Sequence, residues 1–202
     1  MWPAGRAGRS LTTTESATDR KIDNAQYISR MCLVCGAANP FGLQARFYEL
    51  APDAAEEARG DAAAAHRDAA GLELLGLFTP REEHQSYPGR LHGGISSAIL
   101  DETIGRAIRI AHPDEWGVTA EFTIRYRRPV PLDEEIRCVA RITRDTRRLF
   151  EGTGEIVLAD GSVAVEATGK YLKMPLEVIA EGGMTETEWF ADPREAPGSV
   201  DL

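Results

Sequence analysis

The segment Arg90-Leu91-His92-Gly93-Gly94-Ile95-Ser96-Ser97-Ala98-Ile99-Leu100-Asp101-Glu102 carries two kinds of group that suit acyl chemistry. His92-Gly93-Gly94 opens an apolar run of helical period. Glycine lets a ligand approach the main chain closely, and the first amides of a helix lack internal partners and point outward as donors. Nine residues after His92, Asp101 stands among Ile99, Leu100 and Ile104, where a core residue is expected. Donors for a developing oxyanion together with a buried carboxylate suit attack on an acyl carbonyl. Asp101 can serve as general base or as nucleophile, and the residues alone do not separate the two. Desolvation should push its pKa upward, with nearby hydroxyls and amides restraining the shift.

Each of these residues also has a purely structural reading. Gly93 and Gly94 would permit close helix–sheet packing, and His92 suits a capping role that supports the turn. Asp101 would suit an ion pair with Arg106 or Arg109. Glu102 is the competing carboxylate, about 100° further round a regular helix.

The elements around these groups follow from pattern. The helix is expected from Gly93 to Ala111, apolar on several sides and so buried, with Pro113 as its stop. Ahead of it, residues 19–30 suit a short helix, Cys32 to Pro40 turns, and Gly42–Leu50 and Gly71–Thr79 strands. After it, Val118–Arg127 alternates: Val118, Ala120, Phe122, Ile124 and Tyr126 should share one face, and Thr119 the other. Ile136–Thr143, Leu149–Leu158 and Ser162–Leu172 complete the set, the last two joined at Asp160-Gly161, a strong hairpin signal. Two strands, one buried helix and four strands imply an α+β domain, a single antiparallel sheet wrapped around one helix.

The chain has 202 residues and a net charge of −9. That balance argues against nucleic acid as a partner. No apolar run reaches the ~18 residues of a membrane span, and the N-terminus lacks the apolar core of a secretory signal. A cytoplasmic location is the expectation. Residues 121–150 nevertheless hold eight arginines against five acids. A locally basic zone in an acidic protein suits a small anionic ligand. Cys32-x-x-Cys35 is half of a zinc motif, but Cys138, His66 and His84 lack the spacing to complete four ligands, so a packed pair of thiols is expected and no metal.

Taken together, His84-Gln85-Ser86-Tyr87-Pro88-Gly89-Arg90-Leu91-His92-Gly93-Gly94 followed by Leu100-Asp101-Glu102 resembles the hotdog-fold thioesterases of the phenylacetate-pathway and THEM type. Val118-Thr119-Ala120-Glu121-Phe122 and Tyr126-Arg127-Arg128-Pro129-Val130 are similar to that family's third strand and the turn after it. Cys32-Leu33-Val34-Cys35-Gly36 with Asn39-Pro40-Phe41-Gly42-Leu43 resembles the lead-in of a subset of its members.

The resemblance implies a helix gripped by a curled sheet, a dimer with active sites at its interface, and acyl-CoA substrates. It implies Gly93 as the amide that holds the thioester oxygen, Asp101 as the catalytic carboxylate, Thr119 as the hydroxyl that positions water, and His92 as the residue that shapes the turn. Where several relatives carry Asn, six residues before His92, this chain has Ser86 with Gln85 beside it, either a candidate partner of the carbonyl. Gly94 belongs to the same cradle, and Arg127 and Arg128 are candidates for the phosphates of coenzyme A.

Geometry adds one expectation. Gly93 and Asp101 are eight residues apart on one helix, about 12 Å along its axis, too far to act on one carbonyl. Two antiparallel copies would bring one chain's Gly93 to the other's Asp101, so a dimer or tetramer with shared sites is expected.

The domain reading is a flexible extension over 1–30, a hotdog thioesterase domain over 31–175 with an inserted loop at 51–70, and an acidic tail over 176–202. The expected activity is hydrolysis of an acyl-CoA to free acid and CoA, without cofactor beyond the coenzyme A of the substrate. A hydratase or dehydratase of the same fold, using His84 with Asp101, and a non-catalytic acyl-CoA-binding module are the alternatives.

Overall fold

The computed structural model describes residues 19–51, 72–180 and 185–202. The expected loop at 51–70 falls almost wholly outside them, as do residues 1–18.

One helix, α1 (Gly93–Ala107), is held in the curl of an antiparallel sheet. The sheet consists of β1 (Asp19–Ala25), β3 (Arg46–Leu50), β4 (Glu73–Phe78), β5 (Trp116–Tyr126), β6 (Ile136–Asp145), β7 (Leu149–Val157), β8 (Val163–Met174) and β10 (Ser199–Asp201), in the order β10-β1-β3-β4-β6-β7-β8-β5. Two-residue strands β2 (Ile28–Ser29) and β9 (Trp189–Phe190) pair separately, and α2 (Leu176–Ile179) is a single turn. This is the α+β hotdog arrangement expected from the sequence.

The helix is central because it is apolar nearly all round. Ile99, Leu100, Ile104 and Ile108 have no exposed surface, and each contributes about 1.5–3 kcal/mol of burial. Two glycines of β7 set how close the helix can come. A methyl group at Gly152 or Gly154 would stand 2.7 or 2.9 Å from the Ile104 side chain. The strand alternates strictly, with Phe150, Gly152, Gly154 and Ile156 inward, so the two glycines form a trough beneath the helix. The last turn of the helix tightens into a 3-10 turn, Ile108–Ile110, instead of continuing to Ala111.

Three expectations need correction. Residues 19–25 form a strand, not a helix: their burial alternates, and β1 gains main-chain partners on both sides, β3 and β10. Pairing across the chain overrides weak local helical pattern. The acidic tail is partly built into the fold, with β9 on β2, β10 on β1, and Val200 and Leu202 packed beside Tyr48, Leu75 and Val139. Finally, the register of β5 against β8 shifts between Thr119 and Glu121, which pair with Tyr171 and Lys170. A bulge of this kind reverses the alternation beyond it. Thr119 therefore shares the helix-facing side with Phe122, Ile124 and Tyr126 instead of opposing them.

Candidate active site

Asp101 lies on the face of α1 that looks toward β5 and β8. Its Oδ1 accepts two hydroxyl hydrogen bonds, from Thr119 Oγ1 at 2.8 Å and from Tyr171 Oη at 3.0 Å. These two residues are cross-strand partners, so the β5 bulge makes the pair possible. Tyr171 is fixed from behind by Phe150, whose ring stacks on it with centroids 4.9 Å apart. Asp101 Oδ2 has no donor among the described residues. Burial pushes the Asp101 carboxyl above its ordinary pKa, and the Thr119 and Tyr171 hydroxyls oppose that push. The same burial, together with the Asp101 charge, drives the Tyr171 hydroxyl far upward, which keeps it a donor.

Neither neighbouring arginine neutralises Asp101. Arg106 donates to Glu102 Oε1 at 2.8 Å and to the Tyr27 carbonyl at 2.8 Å, while the Arg109 guanidinium lies over the Trp116 ring at 4.3 Å. Glu102 is thus held by an ion pair, and Asp101 is the carboxylate held by hydroxyls alone.

At the other end of α1, His92 is the N-cap. Its Nδ1 accepts from Gly94 N–H at 2.9 Å, and its carbonyl accepts from Ile95 and Ser96. The amide of Gly94 is therefore already engaged. Among the described residues, Gly93 N–H is the one amide of the first turn without an acceptor. Tyr126 borders it, with Oη donating to Gly93 O at 2.8 Å. The approach to His92 is fixed by His84, which is 3 % exposed. Its Nδ1 accepts from Arg81 N–H, its Nε2 lies 3.1 Å from the Phe41 carbonyl, and its own carbonyl takes His92 N–H. Both ring nitrogens of His84 are engaged with main chain, which removes it as the proton carrier a hydratase would need.

Gln85 and Ser86 lie on the loop before His92. Gln85 Oε1 accepts from Gly89 N–H at 2.8 Å. The Gln85 amide nitrogen and the Ser86 hydroxyl have no partner among the described residues. Arg127 is paired with Glu166 at 2.6 Å and Arg128 with Asp160 at 3.8 Å, all largely exposed. They leave the end of β5 that Tyr126 occupies. Arg147 and Arg148 adjoin Leu149, which aligns through Leu172 with Val118 at the opposite end, roughly 25 Å away along the strand. The arginines do not form one cluster.

A cleft of about 230 Å³ runs from Asp101 and Thr119 along the C-terminal half of α1, with Trp116, Trp189, Cys32 and Cys35 in its wall. Sequence reasoning missed Tyr171, Trp116 and Trp189. The signal for Tyr171 was available in the inward period of Ala167, Gly169 and Tyr171. Trp189 carried none, because it reaches the cleft only through the pairing of β9 with β2.

Comparison with known proteins finds partial matches. Residues 88–165 match the family model described as thioesterase superfamily. Acyl-coenzyme A thioesterase THEM4 of Mus musculus is 27 % identical over 104 residues, covering 51 % of this chain and 44 % of the relative. Acyl-coenzyme A thioesterase 13 of Mus musculus is 28 % identical over 81 residues, covering 40 % and 58 %. This chain thus spans about half the length of the curated relatives it matches. A crystal structure of a thioesterase superfamily protein aligns at 32 % identity and a TM-score of 0.46, over 49 % of this chain and 50 % of that one. The span matched by the thioesterase superfamily model, residues 88–165, is the one that carries Gly93, Asp101, Thr119 and Tyr126.

Proposed function

We propose that this chain hydrolyses acyl-CoA thioesters to a free acid and CoA, and that the site is completed by a second copy. The observation that carries the reading is the Asp101 carboxylate, held through Oδ1 by Thr119 and Tyr171, with Oδ2 left for water or for the acyl carbon. Such a group either removes a proton from water as it attacks or forms a mixed anhydride that water then opens. The developing oxyanion needs a donor, and Gly93 N–H is the free one. No metal or redox group is required.

The arrangement of β5 supports the shared site. This eleven-residue strand is the edge of the sheet, its outer main chain unpaired among the described residues, and such an edge favours pairing with another chain. Thr119 marks the Asp101 end of the strand and Tyr126 the Gly93 end. Antiparallel self-pairing centred on Phe122 and Thr123 sets Thr119 of one copy opposite Tyr126 of the other. Asp101 and the second copy's Gly93 then face each other, which one helix cannot achieve across about 12 Å.

At that junction His92 and Gly94 hold the turn, and the Gln85 amide or the Ser86 hydroxyl meets the thioester carbonyl. Arg127 and Arg128 lie at the Gly93 end, where the phosphates of CoA would leave. The setting is cytoplasmic, and Cys32, Cys35 and Cys138 are free thiols in the structure; among the described residues no helix is long and apolar enough to cross a membrane.

Release of free thiol from a panel of short, branched, aromatic and medium-chain acyl-CoAs tests the activity. Asp101→Ala should lose hydrolysis and keep binding; trace hydrolysis unaffected by this substitution identifies an acyl-CoA-binding module instead. Sedimentation with activity measured over a dilution series tests the sharing, and a fully active monomer excludes it.

A further inference from the structure

The wall of the cleft beyond Asp101 holds a pair of sulfurs that hydrolysis does not use. Cys32 and Cys35 lie in one turn, closed by Gly36 N–H donating to the Cys32 carbonyl at 2.9 Å. Their Sγ atoms and a Glu102 carboxylate oxygen lie within 4.8 Å of one another. Both line the cleft, but Cys35 is buried with its Sγ accepting from Arg106 at 3.0 Å, whereas Cys32 is half-buried. The two thiols therefore differ in kind, Cys32 the more accessible and Cys35 held by Arg106. A third cysteine, Cys138, is fully buried on β6 and belongs to the core.

A metal is a poor occupant for this cluster. Among the described residues it offers three ligands where a closed zinc site takes four. The Arg106 guanidinium, bonded to both Cys35 Sγ and Glu102, already supplies the positive charge.

We propose that Cys32 and Cys35 form a reversible dithiol–disulfide couple in the wall of the cleft, with a glutathione-type disulfide as its oxidant. The Cys32 thiolate attacks one sulfur of the oxidant, forming a mixed disulfide and releasing one glutathione thiolate. Cys35 then gives its proton to solvent and attacks Cys32 Sγ, forming the Cys32–Cys35 bond and releasing the second glutathione thiolate. Two electrons pass from the protein dithiol to the oxidant.

The order of attack follows from the surroundings. The charged and titratable groups facing the pair are Glu102 and Arg106 of α1, with Asp101 and Arg109 along the same cleft and Tyr171 of β8 opposite. A hydrogen bond from Cys35 lowers the Cys32 thiol below its ordinary value, while that bond and burial push Cys35 upward. Cys32, the one half-exposed to the cleft, is therefore the sulfur that becomes a thiolate and attacks first, and Cys35 resolves.

Drawing the two sulfurs into bonding distance also displaces Cys35 Sγ from the buried Arg106, whose guanidinium donates to it and stacks on Phe47 and Trp189. On the thioesterase reading above, the oxidised protein should therefore show a KM for acyl-CoA raised several-fold, with kcat little changed.

The full chain is equilibrated with graded ratios of oxidised to reduced glutathione, the free thiols are alkylated, and the products are mapped by mass spectrometry. Wild type should lose two hydrogens in the peptide joining Cys32 and Cys35. Cys35→Ser should stop at one glutathione on Cys32, Cys32→Ser should take up none at Cys35, and Cys138 should stay reduced. Absence of the internal disulfide at every ratio, or glutathione uptake by Cys32→Ser as rapid as by Cys35→Ser, overturns the proposal. Should Cys35→Ser not fold, wild type against Cys32→Ser decides alone. These readouts do not need hydrolysis, so an inactive protein that still forms the disulfide sinks only the thioesterase reading. An unchanged KM on oxidation of an active protein removes the link between the couple and the cleft.

Discussion

Replacing Tyr171 by Phe isolates one of the two hydroxyls that hold Asp101. The ring and its stack on Phe150 at 4.9 Å remain; the donor to Asp101 Oδ1 at 3.0 Å is lost. A hydrogen bond to a charged acceptor contributes about 1.5–3 kcal/mol, and the lower figure suits a cleft open to solvent. That donor stabilises the carboxylate over the carboxylic acid, so its loss lowers the ionised fraction of Asp101 wherever the acid form predominates. About 1.5 kcal/mol is a factor of ~10. On the acid limb of the profile of kcat/KM against pH, Tyr171→Phe should therefore run roughly tenfold below wild type, with the limb displaced to higher pH. On the plateau, where Asp101 is ionised in both proteins, the deficit should shrink to that of a lost orienting contact. Thr119→Val should behave alike, and Thr119→Ser should restore the wild-type profile. An equal deficit at every pH would mean that Tyr171 merely packs. Profiles that superimpose would refute the assignment of Asp101 as the ionising group.

Three further outcomes follow from the same structure. Asp101→Asn should abolish hydrolysis and raise Tm at neutral pH. The folded state binds the Asp101 proton more tightly than the unfolded chain, so this group's contribution to stability falls as pH rises through the window between the two pKa values; the gain in Tm, followed by scanning calorimetry, should close as pH falls below the ordinary aspartate range. Gly154→Ala places a methyl 2.9 Å from Ile104 and should cost about 1–3 kcal/mol in urea unfolding, while an unchanged midpoint would show that the helix is free to lift from β7. Arg127→Glu with Arg128→Glu should raise KM for acyl-CoA several-fold at constant kcat, more so at low salt; an unaltered KM removes these residues from phosphate binding.

Several features were legible in the residues because they depend on local chemistry. The period of the helix, the His92-Gly93-Gly94 turn, the stop at Pro113 and the hairpin at Asp160-Gly161 are set by neighbours a few positions apart. An acid among Ile99, Leu100 and Ile104 is costly to bury without a reason, which singles out Asp101 as a candidate from the residues alone. The upward push on its pKa followed from the same argument. Helix rise alone separated Gly93 from Asp101 and raised the question of a second copy.

What tertiary structure decided is which side chains meet. Strict alternation put Thr119 on the wrong face, because a bulge depends on the pairing register with β8 and leaves no mark in β5 itself. Residues 19–25 became a strand once β3 and β10 supplied main-chain partners that no local pattern reveals. Tyr171 reached Asp101 across 70 positions of sequence, and Trp189 entered the cleft from a segment that by composition alone was an acidic tail. Sequence specified the groups able to do acyl chemistry; only the closing of the sheet around the helix chose which hydroxyls would hold the carboxylate, since long-range register is a property of the whole packed chain.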